Sequence, residues 1–233
     1  MLFRQLFDRE TSTYTYLIAD RISKEALLVD PVLEQVERDL KLLKELGLTL
    51  RYCVETHVHA DHITSASKLR EATGCLSVVP YPAQVGCADK FIHHGETLKV
   101  GAVVVQAIAT PGHTDSHMAY LANNTHLLTG DALFIRGCGR TDFQSGDAGT
   151  LFDSVTQQLF TLPDSTLIYP GHDYRGQTVS SIEEEKHWNP RFTGRSRDEF
   201  IKFMNELNLP NPQKMMEAVP ANKQCGNSSQ LSA

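Results

Sequence analysis

The chain has 233 residues, of which 41% are apolar and 21% charged, with a formal net charge of -6. That is the length and composition of one generous globular domain, or of a domain with a short extension. The acidic balance argues against nucleic-acid binding driven by a basic surface, no stretch approaches the ~20 apolar residues of a membrane span, and Met1 to Asp8 lacks the apolar core of a secretory signal.

Along the chain, Tyr14 to Ala19 and Glu25 to Val29 alternate as a pair of strands turned at Asp20 to Lys24. Asp30-Pro31 opens a helix with apolar residues at Val32, Val36, Leu40, Leu43 and Leu46, and Gly47 ends it. A strand from Tyr52 to Thr56 follows, then a helical segment from Ala60 to Ala72 closed by Gly74. Leu76 to Val79, Val103 to Ala109, Met118 to Ala122 and His126 to Thr129 read as strands. A helix from Thr150 to Leu162 leads into the strand Thr166 to Tyr169. Polar helical segments lie around Val179 to His187 and from Arg197 to Leu207, and Asn222 to Ala233 is unpatterned and reads as a mobile tail. Alternation of strand and helix in both halves, with β-rich stretches between, predicts an α/β (α+β) chain with two packed mixed sheets and helices outside. The expected organisation is one domain over 1–226 with a short helical extension at about 190–226 and a disordered tail at 227–233.

The five cysteines, Cys53, Cys75, Cys87, Cys138 and Cys225, are odd in number and form no C-x-x-C pair. The expectation is no disulfide or thiolate-zinc framework, and a reducing compartment. Cys53 and Cys75 read as small buried apolar residues; Cys138, in Arg136-Gly137-Cys138-Gly139-Arg140, lies nearer the residues that carry chemistry.

Those residues form an ordered series: His57, His59, Asp61 and His62, then His113, Asp131 and His172. Each follows a strand-like segment, where a sheet hands over to a loop and functional groups are displayed. A lone His-x-His is usually incidental, and an Asp after Thr-Gly can simply cap a turn. Several such pieces in order, each at a strand end, instead mark a metal site. In extended chain His57 and His59 point the same way, Asp61 and His62 can face a neighbouring position, Asp131 can bridge two metals, and His172 can complete the second. Imidazole and carboxylate suit zinc, iron or manganese, and seven ligands allow two metals with open positions.

The Thr56-His57-Val58-His59-Ala60-Asp61-His62 box, Pro111-Gly112-His113-Thr114, Thr129-Gly130-Asp131 and Gly171-His172 resemble the metallo-β-lactamase superfamily over residues 1 to 190. The resemblance implies a four-layer αβ/βα sandwich of two mixed β-sheets flanked by helices, with metal between two sheet edges. Gly130 to Phe134 and Gly137 to Arg140 are shared with hydroxyacylglutathione hydrolase, a dizinc thioester hydrolase and the alternative reading. The continuation Thr141-Asp142-Phe143-Gln144, together with Asn189-Pro190-Arg191 and Ala218-Val219-Pro220-Ala221-Asn222 before Cys225-Gly226, resembles the persulfide dioxygenases, the sulfur dioxygenases related to the ethylmalonic encephalopathy protein. That family resemblance implies one Fe(II) per chain on His57, His113 and Asp131, with His59, Asp61, His62 and His172 as supporting groups or a second metal position. It implies glutathione persulfide and O2 as substrates, Arg191 and Tyr174 as glutathione contacts, a homodimer, and a separate sulfurtransferase as partner. Arginine's fork suits a carboxylate, which adds Arg140, and more weakly Arg175, to the candidate contacts. Arg140 has the competing role of pinning its own loop, and a non-catalytic persulfide-binding module is the remaining alternative. The expected compartment is the cytoplasm, or the mitochondrial matrix for a processed eukaryotic form.

Overall fold

The computed structural model of the chain describes residues 1–81, 83–209 and 214–227. They cluster into two compact units, one of residues 1–92, 98–104 and those from 214 on, the other of 93–97 and 105–209.

The first unit is built on a mixed sheet of β1 (Leu2–Asp8), β2 (Thr13–Ala19), β3 (Glu25–Val29), β4 (Thr49–Val54), β5 (Leu76–Pro80) and β6 (Lys90–Ile92), hydrogen-bonded in that order. β1, β2 and β3 pair antiparallel, whereas β3 to β6 run parallel. α1 (Val36–Leu46) and α2 (Ala66–Thr73) supply the crossovers that parallel neighbours need. Leu43 and Leu69 are buried with Leu17, Leu28 and Cys53 of the strands, which is what the apolar spacing of α1 predicts. Gly47 ends α1 in the left-handed conformation, at φ 61°, as expected of the residue after a helix.

The second sheet has the order β12 (Ser180–Ser181), β11 (Leu167–Pro170), β10 (His126–Gly130), β9 (Met118–Ala122), β8 (Val103–Ala109) and β7 (Thr97–Val100). It is mixed as well: β10 and β11 are parallel, while β10 with β9 and β9 with β8 are antiparallel. α3 (Ala148–Ser154) continues into one π-helical turn, Val155–Leu159, and α4 (Ile182–Trp188) and α5 (Arg197–Asn205) follow. Leu151, Leu159, Phe192 and Phe200 pack with Leu127 and Ile168 of the sheet as its core. A capping box between Ser196 and Glu199 sets where α5 begins. Two mixed sheets flanked by helices are the α+β arrangement that the alternation predicts.

Three expectations are corrected. The segment expected to be helical from Ala60 is irregular up to Ser65, and α2 begins at Ala66. Its backbone is claimed by distant partners: Leu33 N–H donates to Ile63 O at 2.8 Å, Ser65 N–H to Pro31 O at 2.9 Å, and Thr64 bridges Val32. The polar run expected as tail from Asn222 is ordered at its start, because α6 (Met215–Asn222) ends there with Asn222 buried; the tail from 228 on lies outside the described residues. Cys87 and Cys225, 138 residues apart, form a disulfide with their Cα atoms 6.0 Å apart, so the cysteine argument for a reducing compartment falls away. A pair so far separated leaves no trace in spacing. Closing so long a loop constrains the unfolded chain, so Cys87→Ser is expected to cost about 2–4 kcal/mol, read as a lowered urea midpoint. A midpoint equal to that of the parent protein would refute this.

Among the described residues, no helix is long and apolar enough to cross a membrane.

Candidate metal centre

In the first unit the box lies at the carboxyl ends of parallel strands, where α/β sheets display ligand groups. β4 stops at Val54, and Asp30, just beyond β3, receives the next residues: Thr56 N–H donates to Asp30 Oδ1 at 2.7 Å and Thr56 Oγ1 to Oδ2 at 2.8 Å. With its proton on Asp30, the Thr56 hydroxyl accepts from His57 Nδ1 at 2.9 Å, which leaves Nε2 of His57 as the lone-pair nitrogen. His59 Nε2 lies 3.1 Å from Asp30 Oδ1 and 3.3 Å from Glu55 Oε2. These carboxylates fix the imidazole, and its Nδ1 is buried without a hydrogen-bond partner among the described residues. His62 Nδ1 donates to Asp61 Oδ2 at 2.8 Å, and its Nε2 is likewise buried and unpartnered among them. The ligand atoms of His59, Asp61 and His62 all lie within 4.8 Å of one another. Carboxylates behind imidazoles whose other nitrogens lack protein partners are the usual wiring of metal-binding histidines.

Asn222 holds this box from behind. Its Nδ2 donates to His59 O at 2.9 Å and His62 O at 2.8 Å, and its Oδ1 accepts from Thr64 N–H at 2.8 Å. A small cavity separates the box from Val79, Ala83 and Val85, with Asn222 in its wall.

In the second unit Asp131 stands between two imidazoles, Oδ2 at 3.5 Å from His113 Nε2 and Oδ1 at 3.5 Å from His172 Nε2. Those gaps are too long for good hydrogen bonds, and Asp131 Oδ1 is buried with no hydrogen-bond partner among the described residues. His113 Nδ1 donates to the Arg140 carbonyl at 2.7 Å, so Nε2 is its lone-pair nitrogen too. A register shift between β10 and β11 at Leu128 to Gly130 carries the chain into Asp131. Gly139 and Gly171 let the backbone close on it: a Cβ on Gly139 would collide with Asp131 O, and one on Gly171 would lie 2.6 Å from Asp131 Oδ1. The orphaned carboxylate oxygen and the imidazole nitrogens fit a borderline metal such as iron or zinc.

Four groups that sequence reasoning did not single out support the ligands. Asp30, Glu55 and Asn222 are described above. His117 Nε2 accepts from the Asp131 backbone N–H at 3.0 Å, and its Nδ1 donates to Thr110 Oγ1 at 2.8 Å. Glu55, inside the strand run before the box, and His117, four residues after His113, carried a weak local signal, and Asn222 closes one of the motifs behind the family resemblance.

The candidate substrate contacts differ in their surroundings. The Tyr174 ring stacks on His172 with centroids 6.0 Å apart, and the residue is exposed. Arg140 grips Asp142 with both arms, at 2.6 and 2.7 Å, and lies over Phe143, the loop-pinning arrangement expected as its competing role. That guanidinium holds the Asp142 carboxyl below its usual range. Asn189 is a structural member of its motif: its Nδ2 donates to Gly137 O at 3.0 Å and to the buried Glu185 at 2.9 Å, tying α4 to the turn before Cys138. Burial pushes the Cys138 thiol up to about 12, so it is a packing residue and not a thiolate at neutral pH.

A family model for the metallo-β-lactamase superfamily matches residues 8–172, and the chain belongs to that superfamily. The mitochondrial persulfide dioxygenase ETHE1 of Homo sapiens is 51% identical over 97% of this chain and 89% of its own length, and that of Mus musculus is 52% identical over the same shares. The crystal structure of ETHE1 from Myxococcus xanthus matches with a TM-score of 0.95 at 56% identity, covering 97% of this chain and all of that one. Within the superfamily the chain is therefore a member of the persulfide dioxygenase family, an enzyme of the dioxygenase class.

Proposed function

We propose that the chain is a glutathione persulfide dioxygenase with one Fe(II) held by His57, His113 and Asp131. The observation that carries the reading is the buried Asp131 carboxylate beside His113 Nε2, with one oxygen lacking any hydrogen-bond partner among the described residues. In a 2-His-1-carboxylate set Fe(II) keeps three positions open and supplies the electron transfer that oxygen activation requires. In the net reaction one persulfide, one O2 and one water give glutathione, sulfite and two protons.

The chain's own residues orient and bind. The Arg140 carbonyl and the Thr56–Asp30 pair set the tautomers of His113 and His57, so that both aim Nε2 as a neutral ligand. Asp131 contributes the single negative charge, its backbone held by His117. His59, Asp61, His62 and His172 add polar groups that hydrogen-bond water and orient the ligands. Arg191, Tyr174 and Arg140 bind the glutathione part, with the Arg140 fork shared with Asp142. We place the activity in one domain over 1–226 with its helical extension. It works as a homodimer beside a separate sulfurtransferase, in the cytoplasm or, in a processed eukaryotic form, the mitochondrial matrix.

The cluster of His59, Asp61 and His62 favours one second reading, a dizinc hydroxyacylglutathione hydrolase. Metal analysis of freshly purified protein together with oxygen uptake on glutathione persulfide separates the two. The expected result is about one iron per chain, with oxygen consumed in step with sulfite. Two zincs, thioester cleavage and no uptake would overturn the proposal. Because Arg191 grips the remote end of the substrate, Arg191→Ala is expected to raise KM by about 10–100-fold and to change kcat by less than about 3-fold. An unchanged KM would remove Arg191 from the site.

A further inference from the structure

The chain around Arg191 carries a second cation that the substrate contacts named above do not use. The guanidinium carbon of Arg191 lies 4.7 Å from the centroid of the Phe203 ring, and that of Arg195 lies 4.4 Å from the same centroid. One ring therefore serves two like charges. The ring's quadrupole offsets part of their repulsion, but a stable pair of cations calls for an anion. Among the described residues no carboxylate forms an ion pair with Arg191 or Arg195, whereas the neighbouring Arg197 is bound to Asp153 at 3.0 Å. Glu199 lies within Coulombic reach of Arg195, but its Oε2 is held by the backbone N–H and hydroxyl of Ser196 in the capping box. Arg195 donates only Nε, to the Pro190 carbonyl at 3.3 Å, which leaves its terminal nitrogens to a ligand. Nη1 of Arg191 is buried and has no hydrogen-bond partner among the described residues, an expensive state unless a ligand satisfies it.

The backbone positions both arginines. Arg191 N–H is held by Asn189 Oδ1 at 3.0 Å, and Asn189 is itself buried and bound to Glu185. Arg195 immediately precedes the Ser196–Glu199 capping box, which fixes the start of the helix that carries Phe203. Two planar forks that no carboxylate grips directly, on rigid anchors, match carboxylate geometry.

We infer that Arg195 is a substrate-binding residue, which forms with Arg191 a two-arginine carboxylate site for the glutathione part of the substrate. This rests on the substrate reading above and adds to it a residue outside the family resemblance. Glutathione carries two carboxylates, and a pair of guanidiniums at one ring takes one of them or divides the two.

The test is calorimetric binding of glutathione itself to the iron-loaded enzyme. Arg195→Gln keeps part of the aliphatic stem and removes the charge; Arg195→Lys keeps the charge and removes the fork. The expected result is about 5–20-fold weaker glutathione binding for Arg195→Gln, with partial recovery in Arg195→Lys, from the strength of charged hydrogen bonds. The matching kinetic signature is a raised KM for glutathione persulfide with kcat preserved. Glutathione monoethyl ester, with its glycine carboxylate masked, then identifies the group. If wild type and Arg195→Gln bind the ester equally, Arg195 reads the glycine carboxylate; a persisting difference assigns it to the γ-glutamyl end. Equal glutathione affinity of wild type and Arg195→Gln overturns the inference and leaves the substrate reading intact. A wild-type enzyme that binds no glutathione overturns both.

Discussion

On the proposed reading, His113→Ala is expected to empty the iron site and to lower oxygen uptake on glutathione persulfide by more than about 100-fold, since loss of even an outer group around a metal costs about 10–100-fold. Its surroundings fix this imidazole in place. Its Nδ1–H is committed to the Arg140 carbonyl, its Nε2 faces Asp131 at 3.5 Å, and Gly139 leaves no Cβ to push the ring aside. An alanine there removes the imidazole and leaves the Asp131 carboxylate buried beside empty space. Elemental analysis and an oxygen electrode, applied to the same preparation, give the outcome. Near-stoichiometric iron with undiminished uptake would show that His113 is not a ligand. A folded variant is expected, because His113 lies in a loop and is not a member of the apolar core.

Asn222→Ala is expected to lower stability by about 3–5 kcal/mol and iron affinity by about 10–100-fold. One amide satisfies three buried backbone groups, the carbonyls of His59 and His62 and the N–H of Thr64. Alanine strands all three within the irregular segment that presents His59, Asp61 and His62. Asn222→Asp is the informative companion, because it keeps the acceptor for Thr64 N–H and loses both donors. Its expected effect is at least as large as that of alanine, because a buried carboxylate oxygen then faces the carbonyl oxygens of His59 and His62. The measurements are a urea midpoint and competition for iron with a chelator. Wild-type values for both in Asn222→Ala would mean that the box holds its own shape. Comparison with Cys87→Ser separates the roles of the C-terminal segment: the disulfide acts mainly on the unfolded chain, whereas Asn222 acts on the ligands themselves.

Much of the fold was legible because its cues are local. β8 and β9 occupy the residues that read as strands, Val103–Ala109 and Met118–Ala122, and Gly47 and Gly74 end α1 and α2. β1, the first strand of its sheet, was passed over because Leu2–Asp8 mixes Arg4 and Gln5 among apolar residues and leaves several of them partly solvated. α6 falls within the helical extension expected at about 190–226, but its bounds were not legible, because it carries Pro220 and little periodicity and is held by its contacts with Ile63 and by Asn222.

The sequence by itself determined the donor types of the metal centre, their order along the chain and their placement at strand ends, since each cue spans a few neighbouring residues. It also carried the flanking motifs on which the family resemblance rests. Only the tertiary structure decided which nitrogen of each histidine is left to a metal, because that depends on what binds the other: Thr56 and through it Asp30, the Asp30–Glu55 pair, and the Arg140 carbonyl. It alone joined Cys87 to Cys225, gave Asn222 the backbone of a box some 160 residues earlier, and set Arg195 beside Arg191 on one aromatic ring. These are long-range contacts or choices among rotamers, and residue spacing encodes neither.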